Sequence, residues 1–309
     1  LGGNALDAEA SAKIYAAKGR PSDNPLIVHI ADWEAIRAIV SEVPEAAKRL
    51  ADAFWPGPLT MILNKSDLVP YATTGGLETV AVRMPVNPIA RALIRAGGGY
   101  VAAPSANTSG RPSPTKAEHV AEDLNGKIDM IIDGGTVDIG LESTIVDLTD
   151  GAPTILRPGY INQEMLTKVL GEVEMDRGLI APESGVHPKA PGMKYRHYAP
   201  KADLIIVEGE AEKVRRKINE LVQQQISEGK KVGVIGTDES LSYYKDGDVR
   251  SIGSRKDEIT IAQHLFGLLR EFDESDISVI YSEAFETPQI GQAIMNRLIK
   301  AAGHQIIRV

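Results

Sequence analysis

Cationic and amide side chains follow a short helix-forming segment near the start of the chain. Lys18 and Arg20 flank Gly19, and Asn24 comes four residues later. Arginine offers a planar pair of donors and lysine a point charge, so this spacing suits the binding of a polyphosphate. For this segment alone, the alternative is a solvated helix end whose cations stabilise the helix dipole.

A run of small polar residues is the most informative part of the sequence. The stretch runs from Ala103 to Ser113 and contains Ser105 and Asn107. Small side chains let a ligand approach the backbone amides, and hydroxyls and amides add further donors. The stretch lacks the Gly-Lys-Ser/Thr ending of a P-loop, which excludes a Walker-type site.

Polar side chains also occupy predicted strands, at His29, Arg83, Ser143 and Arg157. Ligands in α/β sheets often bind at strand ends, so these four residues are candidates for substrate contacts. Three alternatives stay open: a satisfied core histidine at His29, an internal ion pair at Arg83 and a turn cap at Ser143.

Composition excludes several classes of protein. With 309 residues, 43% hydrophobic and 25% charged, the chain is typical of a globular protein of about two domains. The absence of cysteine excludes disulfides, thiolate nucleophiles, zinc fingers and iron–sulfur clusters, and the six histidines are too scattered for a metal site. Acidic residues outnumber basic ones by 42 to 34, which disfavours extensive nucleic-acid contacts.

Nothing in the sequence predicts a membrane protein. No apolar run approaches the ~20 residues that span a bilayer, and no signal peptide is visible, so a cytoplasmic location is expected. The chain begins at Leu1 rather than at Met, which weakens the argument from a missing signal.

The patterning differs between the two halves of the chain. In the first half it predicts helices at 7–17, 46–53, 88–96 and 116–124, and strands at 26–30, 59–63, 80–83, 100–103, 130–133, 143–147 and 154–157. In the second half it predicts strands at 204–208, 232–236, 278–281 and 305–309, alternating with helices at 210–227, 258–272 and 289–302. A mixed sheet covered by helices and a smaller parallel α/β domain are expected.

Several of these motifs together resemble the threonylcarbamoyl-AMP synthases. The resemblance rests on Lys18-x-Arg20, Ser105-x-Asn107, the Ser143-Thr-Ile-Val-Asp stretch and Arg157-Pro-Gly. The segment 191–201 and the second half resemble the longer, two-domain members. The resemblance implies an α/β protein with a YrdC-like catalytic domain at 1–172, a linker covering the active site at 173–201 and a Rossmann-like domain at 202–309.

The resemblance also implies an activity and a set of contacts. Such an enzyme joins L-threonine, bicarbonate and ATP into L-threonylcarbamoyl-AMP and releases pyrophosphate, with Mg²⁺ on the phosphates. A tRNA-modifying transferase machinery then uses the product for N6-threonylcarbamoyladenosine, and direct tRNA contact is not required. Lys18 and Arg20 are the expected catalytic residues. The implied ATP contacts are Arg20, Asn24, Thr79, Ser105, Asn107, Ser113, Arg157 and Tyr198, and the implied threonine contacts are His29, Arg83, Ala103 and Ser143.

One departure and two alternatives accompany this interpretation. Family members carry a Pro-Thr-x-Thr-Val-Tyr-Gly-Leu stretch of which only the end, Leu1-Gly2, is present, so a strand and one threonine-binding side chain are expected to be missing. An RNA-binding YrdC-like module and another ATP-dependent carbamoyl-transfer enzyme are the alternatives. For the second half, structural support is favoured over a regulatory ligand site.

Overall fold

The computed structural model describes residues 1–179, 198–285 and 289–309. These residues form two compact units. The described part of the first comprises Leu1–Ser109, Val120–Gly134 and 142–179, and that of the second comprises Gly110–His119, Gly135–Leu141 and the residues from 198 onward. Of the predicted linker at 173–201, residues 180–197 lie outside the described part.

The first half of the chain is a mixed α/β structure. Its helices are α1 (Ala8–Lys18), α2 (Ile36–Ile39), α3 (Glu45–Phe54), α4 (Tyr71–Thr74), α5 (Pro88–Ala96), α6 (Ala117–Leu124) and α7 (Gln163–Leu170). Its strands are β1 (Gly3–Asn4), β2 (Ile27–His29), β3 (Leu59–Asn64), β4 (Thr79–Arg83), β5 (Val101–Ala102), β6 (Thr144–Asp147), β7 (Thr154–Arg157) and β8 (Glu174–Met175). They form one sheet in the order β1-β5-β2-β4-β3-β6-β7-β8, with parallel and antiparallel pairs, so the predicted mixed sheet is confirmed.

The two faces of this sheet differ because alternate side chains of a strand point to opposite sides. One face builds the large core, in which Val28, Met61 and Val82 pack with residues of the helices. The other face carries a separate cluster of five buried apolar residues, which we call the small cluster: Ile27, Ile62, Ala81, Ile145 and Leu156. Residues two positions away from its members therefore share the face of the small cluster.

Helix α1 delivers Lys18 to this region. The helix is capped at its start, since Asp7 accepts a hydrogen bond from the backbone N of Glu9 at 2.8 Å. The helix stops at Gly19, whose φ of 61° lies in the left-handed region that favours glycine. Lys18 is thus the last helical residue.

The predicted strand at 130–133 is wrong. The segment has no strand conformation, and Met130, Ile131 and Ile132 are exposed. Its apolar, β-branched composition resembles that of a buried strand, but a strand forms only where a neighbour pairs with it. None of the described strands forms a β-ladder with this segment.

The second unit contains the predicted parallel sheet, which is confirmed. Its strands are β9 (Asp203–Glu208), β10 (Val232–Gly236), β11 (Asp248–Ser251), β12 (Val279–Glu283) and β13 (Ile306–Arg308), in the order β11-β10-β12-β9-β13. All four pairings are parallel. Helix α8 (Ala211–Ser227) packs on one face, and α9 (Glu258–Asp273) and α10 (Gly291–Ala301) pack on the other.

Ligands bind at the carboxyl ends of the strands in many α/β sheets. In the second unit, the residue at the carboxyl end of β12 is held by hydrogen bonds within the protein. Glu283 is buried and accepts hydrogen bonds from the Tyr244 hydroxyl and from Arg255 Nη2, each at 2.6 Å. This network ties β12 to the residues that follow β10 and β11.

Helix α9 also holds a segment from the first half of the sequence. The buried guanidinium of Arg270 donates two hydrogen bonds to Pro112 O, at 3.1 Å from Nε and 2.7 Å from Nη2. Asp273 lies 3.7 Å from Arg111 and accepts from the backbone N of Lys201. The segment 110–119 is therefore built into the second unit by buried charged groups.

None of the helices in the described ranges is long and apolar enough to cross a membrane.

We expect Arg270→Met to lower the free energy of unfolding by about 1–3 kcal/mol, because it leaves the buried Pro112 carbonyl without its strongest donor. Urea denaturation of the whole chain measures this change. Arg216→Met, on the exposed surface of α8, is the matched control and should change stability little. Equal stability of the two variants would show that Arg270 does not anchor the segment.

Candidate active site

The ammonium group of Lys18 is buried and fully bonded. Its Nζ donates to Ser105 O at 2.5 Å, to Asn107 O at 2.7 Å and to Asn107 Oδ1 at 3.1 Å. An ammonium has three donors, so these bonds use all of them. The backbone O of Lys18 also accepts from Ser109 N at 2.8 Å. The end of α1 thus fixes the loop after β5, in which Ser105 Oγ in turn donates to Asn107 Oδ1.

Burial, followed by the neighbouring charge of Arg20, lowers the pKa of Lys18 to about 7, against the opposite effects of Asp123 and Glu142. Asp123 also contacts the same loop, because its Oδ2 accepts from the backbone N of Thr108 at 2.9 Å. The charge that organises the loop is therefore close to its point of titration at neutral pH.

Arg20 and Asn24 lie next to each other beyond α1. Arg20 Nη2 donates to Asn24 O at 3.2 Å and to Pro25 O at 3.3 Å, which turns the guanidinium back along its own loop. Asn24 is 1% exposed, yet neither its Oδ1 nor its Nδ2 has a hydrogen-bond partner among the described residues. Buried amides are nearly always bonded, so this side chain fits a group that a ligand supplies.

Strand register aligns the other predicted residues in a row across the sheet. His29 on β2 pairs with Arg83 on β4, and Arg83 pairs with Thr60 on β3. Thr60 pairs with Ile145 on β6, which pairs with Arg157 on β7. Directly paired residues point to the same side of a sheet, so His29, Arg83, Thr60 and Ile145 lie on the face of the small cluster. The register between β6 and β7 shifts at Ile145, and Arg157 is connected to this face by its hydrogen bonds to Ser143.

At one end of this row, Ser143 is enclosed by two neighbours. Arg157 donates from Nε to Ser143 O at 2.9 Å and from Nη2 to Ser143 Oγ at 3.1 Å. The hydroxyl of Thr60 lies 2.8 Å from Ser143 Oγ. Gly159 lets the chain after β7 come this close, because a Cβ there would lie 2.5 Å from the backbone N of Thr144.

At the other end of the row, His29 and Arg83 together carry one positive charge. Burial and the charge of Arg83 lower the pKa of His29 to about 3, so the imidazole is neutral, and its Nδ1 lies 3.1 Å from Ile27 O. Burial lowers the pKa of Arg83 to about 10, which leaves the guanidinium charged. Arg83 Nε donates to Gly57 O at 3.1 Å, and in the described chain its terminal nitrogens have no partner.

The remaining predicted residues take two different places. Thr79 begins β4 on the same face as Arg83, about 13 Å away along the strand, and the backbone N of Ala103 donates to Ile27 O at 2.9 Å. Ser113 and Tyr198 instead belong to the second unit, where both are buried and the Tyr198 ring lies 5.0 Å from that of Phe266.

The donors of this site do not suit a metal held by the protein. They are ammonium, guanidinium, amide and hydroxyl groups, whereas Mg²⁺ prefers carboxylates and other oxygen anions. Over residues 1–179, 198–285 and 289–309, no group of three His, Asp or Glu side chains is arranged to hold a metal ion.

Thr60 and Asp123 are site residues that the sequence did not single out. Thr60 lies in the apolar run of β3, and its hydroxyl is the one sequence signal that distinguished it. Asp123 sits near the end of α6, where an acidic residue is typical of a solvated helix surface.

Comparisons with known proteins cover both halves of the chain. A family model described as "Telomere recombination" matches residues 1–159, and one described as "Threonylcarbamoyl-AMP synthase, C-terminal domain" matches residues 161–303. The threonylcarbamoyl-AMP synthase of Pyrococcus abyssi is 53% identical over 100% of this chain and 89% of its own. That of Bacillus subtilis is 50% identical over 100% and 88%.

A solved structure extends the likeness to three dimensions. The crystal structure of Pyrococcus abyssi Sua5 complexed with L-threonine superposes with a TM-score of 0.94 at 52% identity, covering 100% of this chain and 89% of that one. The resemblance inferred from the sequence motifs is confirmed: the chain belongs to the threonylcarbamoyl-AMP synthase family.

Proposed function

We infer that this protein is a nucleotidyl-transferring enzyme that makes L-threonylcarbamoyl-AMP from L-threonine, bicarbonate and ATP, releasing pyrophosphate. One observation carries the assignment of the site: Arg83 presents a desolvated, charged guanidinium with its terminal nitrogens unused by the described chain. Because the relatives match the chain over its whole length, we prefer this function to an RNA-binding module or a different carbamoyl-transfer enzyme.

We assign the binding of the amino acid to the row of polar residues on the small-cluster face. A guanidinium with free terminal nitrogens binds a carboxylate through two parallel hydrogen bonds. We assign this contact to the carboxylate of L-threonine, with the neutral His29, the backbone of Ala103 and the hydroxyl of Ser143 beside it. A neutral imidazole suits this place, because a second positive charge beside Arg83 would have no anion to balance it.

The nucleotide end lies toward Thr79 and the loop after β5. Asn24 has a buried amide with no partner among the described residues, which fits a ligand group there. Arg20, Ser105, Asn107 and Arg157 are the residues that we assign to the phosphates. The distance of about 13 Å from Arg83 to Thr79 accommodates two substrates end to end. Ser113 and Tyr198 remain predicted ATP contacts. Lys18 acts in this scheme by holding the loop, since its three donors are used there.

The chemistry needs no protein nucleophile. The amine of threonine adds to bicarbonate with loss of water, and an oxygen of the resulting carbamate attacks the α-phosphorus of ATP with pyrophosphate as the leaving group. The side chains contribute by placing the two anions together and by balancing the charge that develops on the phosphates. Arg20 and Arg157 are the cations that we assign to that second task.

In the proposed reaction, the side chains of the site hold neither Mg²⁺ nor the enzymes that later consume the product. We propose that Mg²⁺ arrives with ATP and takes its ligands from phosphates and water, so no step is assigned to a protein-held metal. The product is an activated carbamoyl group, which a tRNA-modifying transferase would consume. Since the substrates are metabolites of the cell interior, a cytoplasmic reaction is proposed.

Incubation with ATP, L-threonine and ¹³C-bicarbonate should yield a labelled threonylcarbamoyl adenylate, detected by mass spectrometry. Reactions without threonine, and with serine in its place, are the controls for the amino acid. Formation of AMP and pyrophosphate with no labelled adduct would contradict the proposed reaction.

We expect Arg83→Gln to weaken L-threonine binding about 30- to 100-fold, because two charge-assisted hydrogen bonds to the carboxylate are lost. Isothermal titration calorimetry with L-threonine measures the effect, and ATP affinity should change far less. Arg37→Gln, whose side chain is 71% exposed, is the control. An unchanged threonine affinity in Arg83→Gln would remove Arg83 from the site.

ATP binding should take up a proton at Lys18 near pH 8. With its pKa at about 7, Lys18 is mostly neutral at that pH in the free protein, and the negative charge of ATP raises its pKa and restores the ammonium. At pH 6 Lys18 is already charged and contributes no uptake. Calorimetry in two buffers of different ionisation enthalpy counts the protons, and Lys18→Met should abolish the uptake at pH 8. Equal uptake by both proteins would contradict this role.

A further inference from the structure

The hydroxyl of Thr60 has an unusual place in the sheet. Thr60 is fully buried, and it sits directly opposite Arg83 on the neighbouring antiparallel strand. Paired residues of this kind have Cβ atoms about 4.5–5.5 Å apart, so Thr60 lies beside the guanidinium on the same face. Within the part of the chain that the structure describes, its hydroxyl bonds one side chain, Ser143, at 2.8 Å.

The direction of this bond decides which of the two hydroxyls keeps a proton for a further acceptor. Arg157 can only donate, so Ser143 Oγ accepts from it and has one lone pair left. If Ser143 donated to Thr60, the proton of Thr60 would be buried with no acceptor among the described residues, which is costly. If Thr60 donates, both lone pairs of Ser143 are filled, and the one hydroxyl proton without an acceptor is then on Ser143, the residue that the proposed function assigns to the substrate.

The remaining proton is that of Ser143 itself. With both lone pairs occupied, Ser143 Oγ can make one more interaction, and only as a donor. The group that completes the site at this position must then be an acceptor, and the neighbouring Arg83 favours an anionic one.

We propose that Thr60 is a positioning residue that makes Ser143 an obligate hydrogen-bond donor to a carboxylate or carbamate oxygen of the amino-acid substrate. This inference rests on the proposed function, in which Ser143 contacts L-threonine. Thr60 touches no substrate itself. It acts through Ser143, and it leaves the nucleotide end of the site unaffected.

Thr60→Val keeps the shape of the side chain and removes the hydroxyl, and Thr60→Ser keeps the hydroxyl. We expect Thr60→Val to raise the KM for L-threonine about three- to tenfold, the size of a lost hydrogen bond, with the KM for ATP unchanged. Thr60→Ser should restore the wild-type KM for threonine. Thr74→Val is the matched control, since its buried hydroxyl bonds the Leu77 carbonyl in a turn and should leave both KM values unchanged.

Ser143→Ala separates failure of this inference from failure of the proposed function. If Ser143→Ala weakens threonine binding and Thr60→Val does not, Thr60 has no positioning role and the inference is overturned. If neither variant affects threonine binding, Ser143 does not contact the substrate and the proposed site is wrong. A rise in both KM values in Thr60→Val that Thr60→Ser does not rescue would indicate a general packing defect and would also overturn the inference.

Folding is checked by circular dichroism and thermal unfolding of each variant. Should Thr60→Val not fold, Thr60→Cys takes its place, because a thiol fills similar volume and is a weak donor. The same raised KM for threonine is then expected, and an unchanged value would overturn the proposal.

Discussion

A buried ammonium group with three oxygen partners is the interaction on which the candidate site depends. Removing a charge from water costs several kcal/mol unless its new partners replace the lost hydration. Lys18 meets this condition because Ser105 O, Asn107 O and Asn107 Oδ1 each accept one of its protons. The cost of burial and the order of the loop are therefore linked. The charge is tolerated only while the loop keeps its conformation, and all three bonds to the loop form only while the charge is present.

The second constraint is the alternation of side chains along the strands. One face of the first sheet is committed to the large core, so it is mostly apolar. The other face keeps only the five residues of the small cluster as its apolar floor and carries His29, Arg83 and Thr60 in register beside it. A one-residue slip of β3 or β4 would turn these polar groups into the core, so the packing of one face fixes the geometry of the other.

Much of this arrangement was predictable from the sequence because its signals are local. The end of α1 before Gly19, the loop of small polar residues and the polar strand ends were all visible as residue types at short spacing. Thr60 was not, because its importance comes from Ser143, 83 residues away, and a hydroxyl in an apolar strand has no local signature. The error at 130–133 has the same origin: an apolar run predicts a strand, but the choice is made by a partner elsewhere in the chain. The attachment of segment 110–119 to Arg270 likewise depends on a contact across 158 residues.

The electrostatics of the row suit the proposed binding of an anion that then reacts. Arg83 carries the charge, His29 is neutral, and the hydroxyls are aligned before any substrate enters. Groups that are already oriented need no reorganisation when charge shifts during the reaction, and their effect is larger in a desolvated site than in water. A second cation beside Arg83 would bind the amino acid more strongly, but it would stabilise the bound substrate as much as the reacting state and so would not speed the reaction. A single charge with fixed hydroxyl donors is therefore better suited to a substrate whose negative charge must move from its carbamate toward the phosphates.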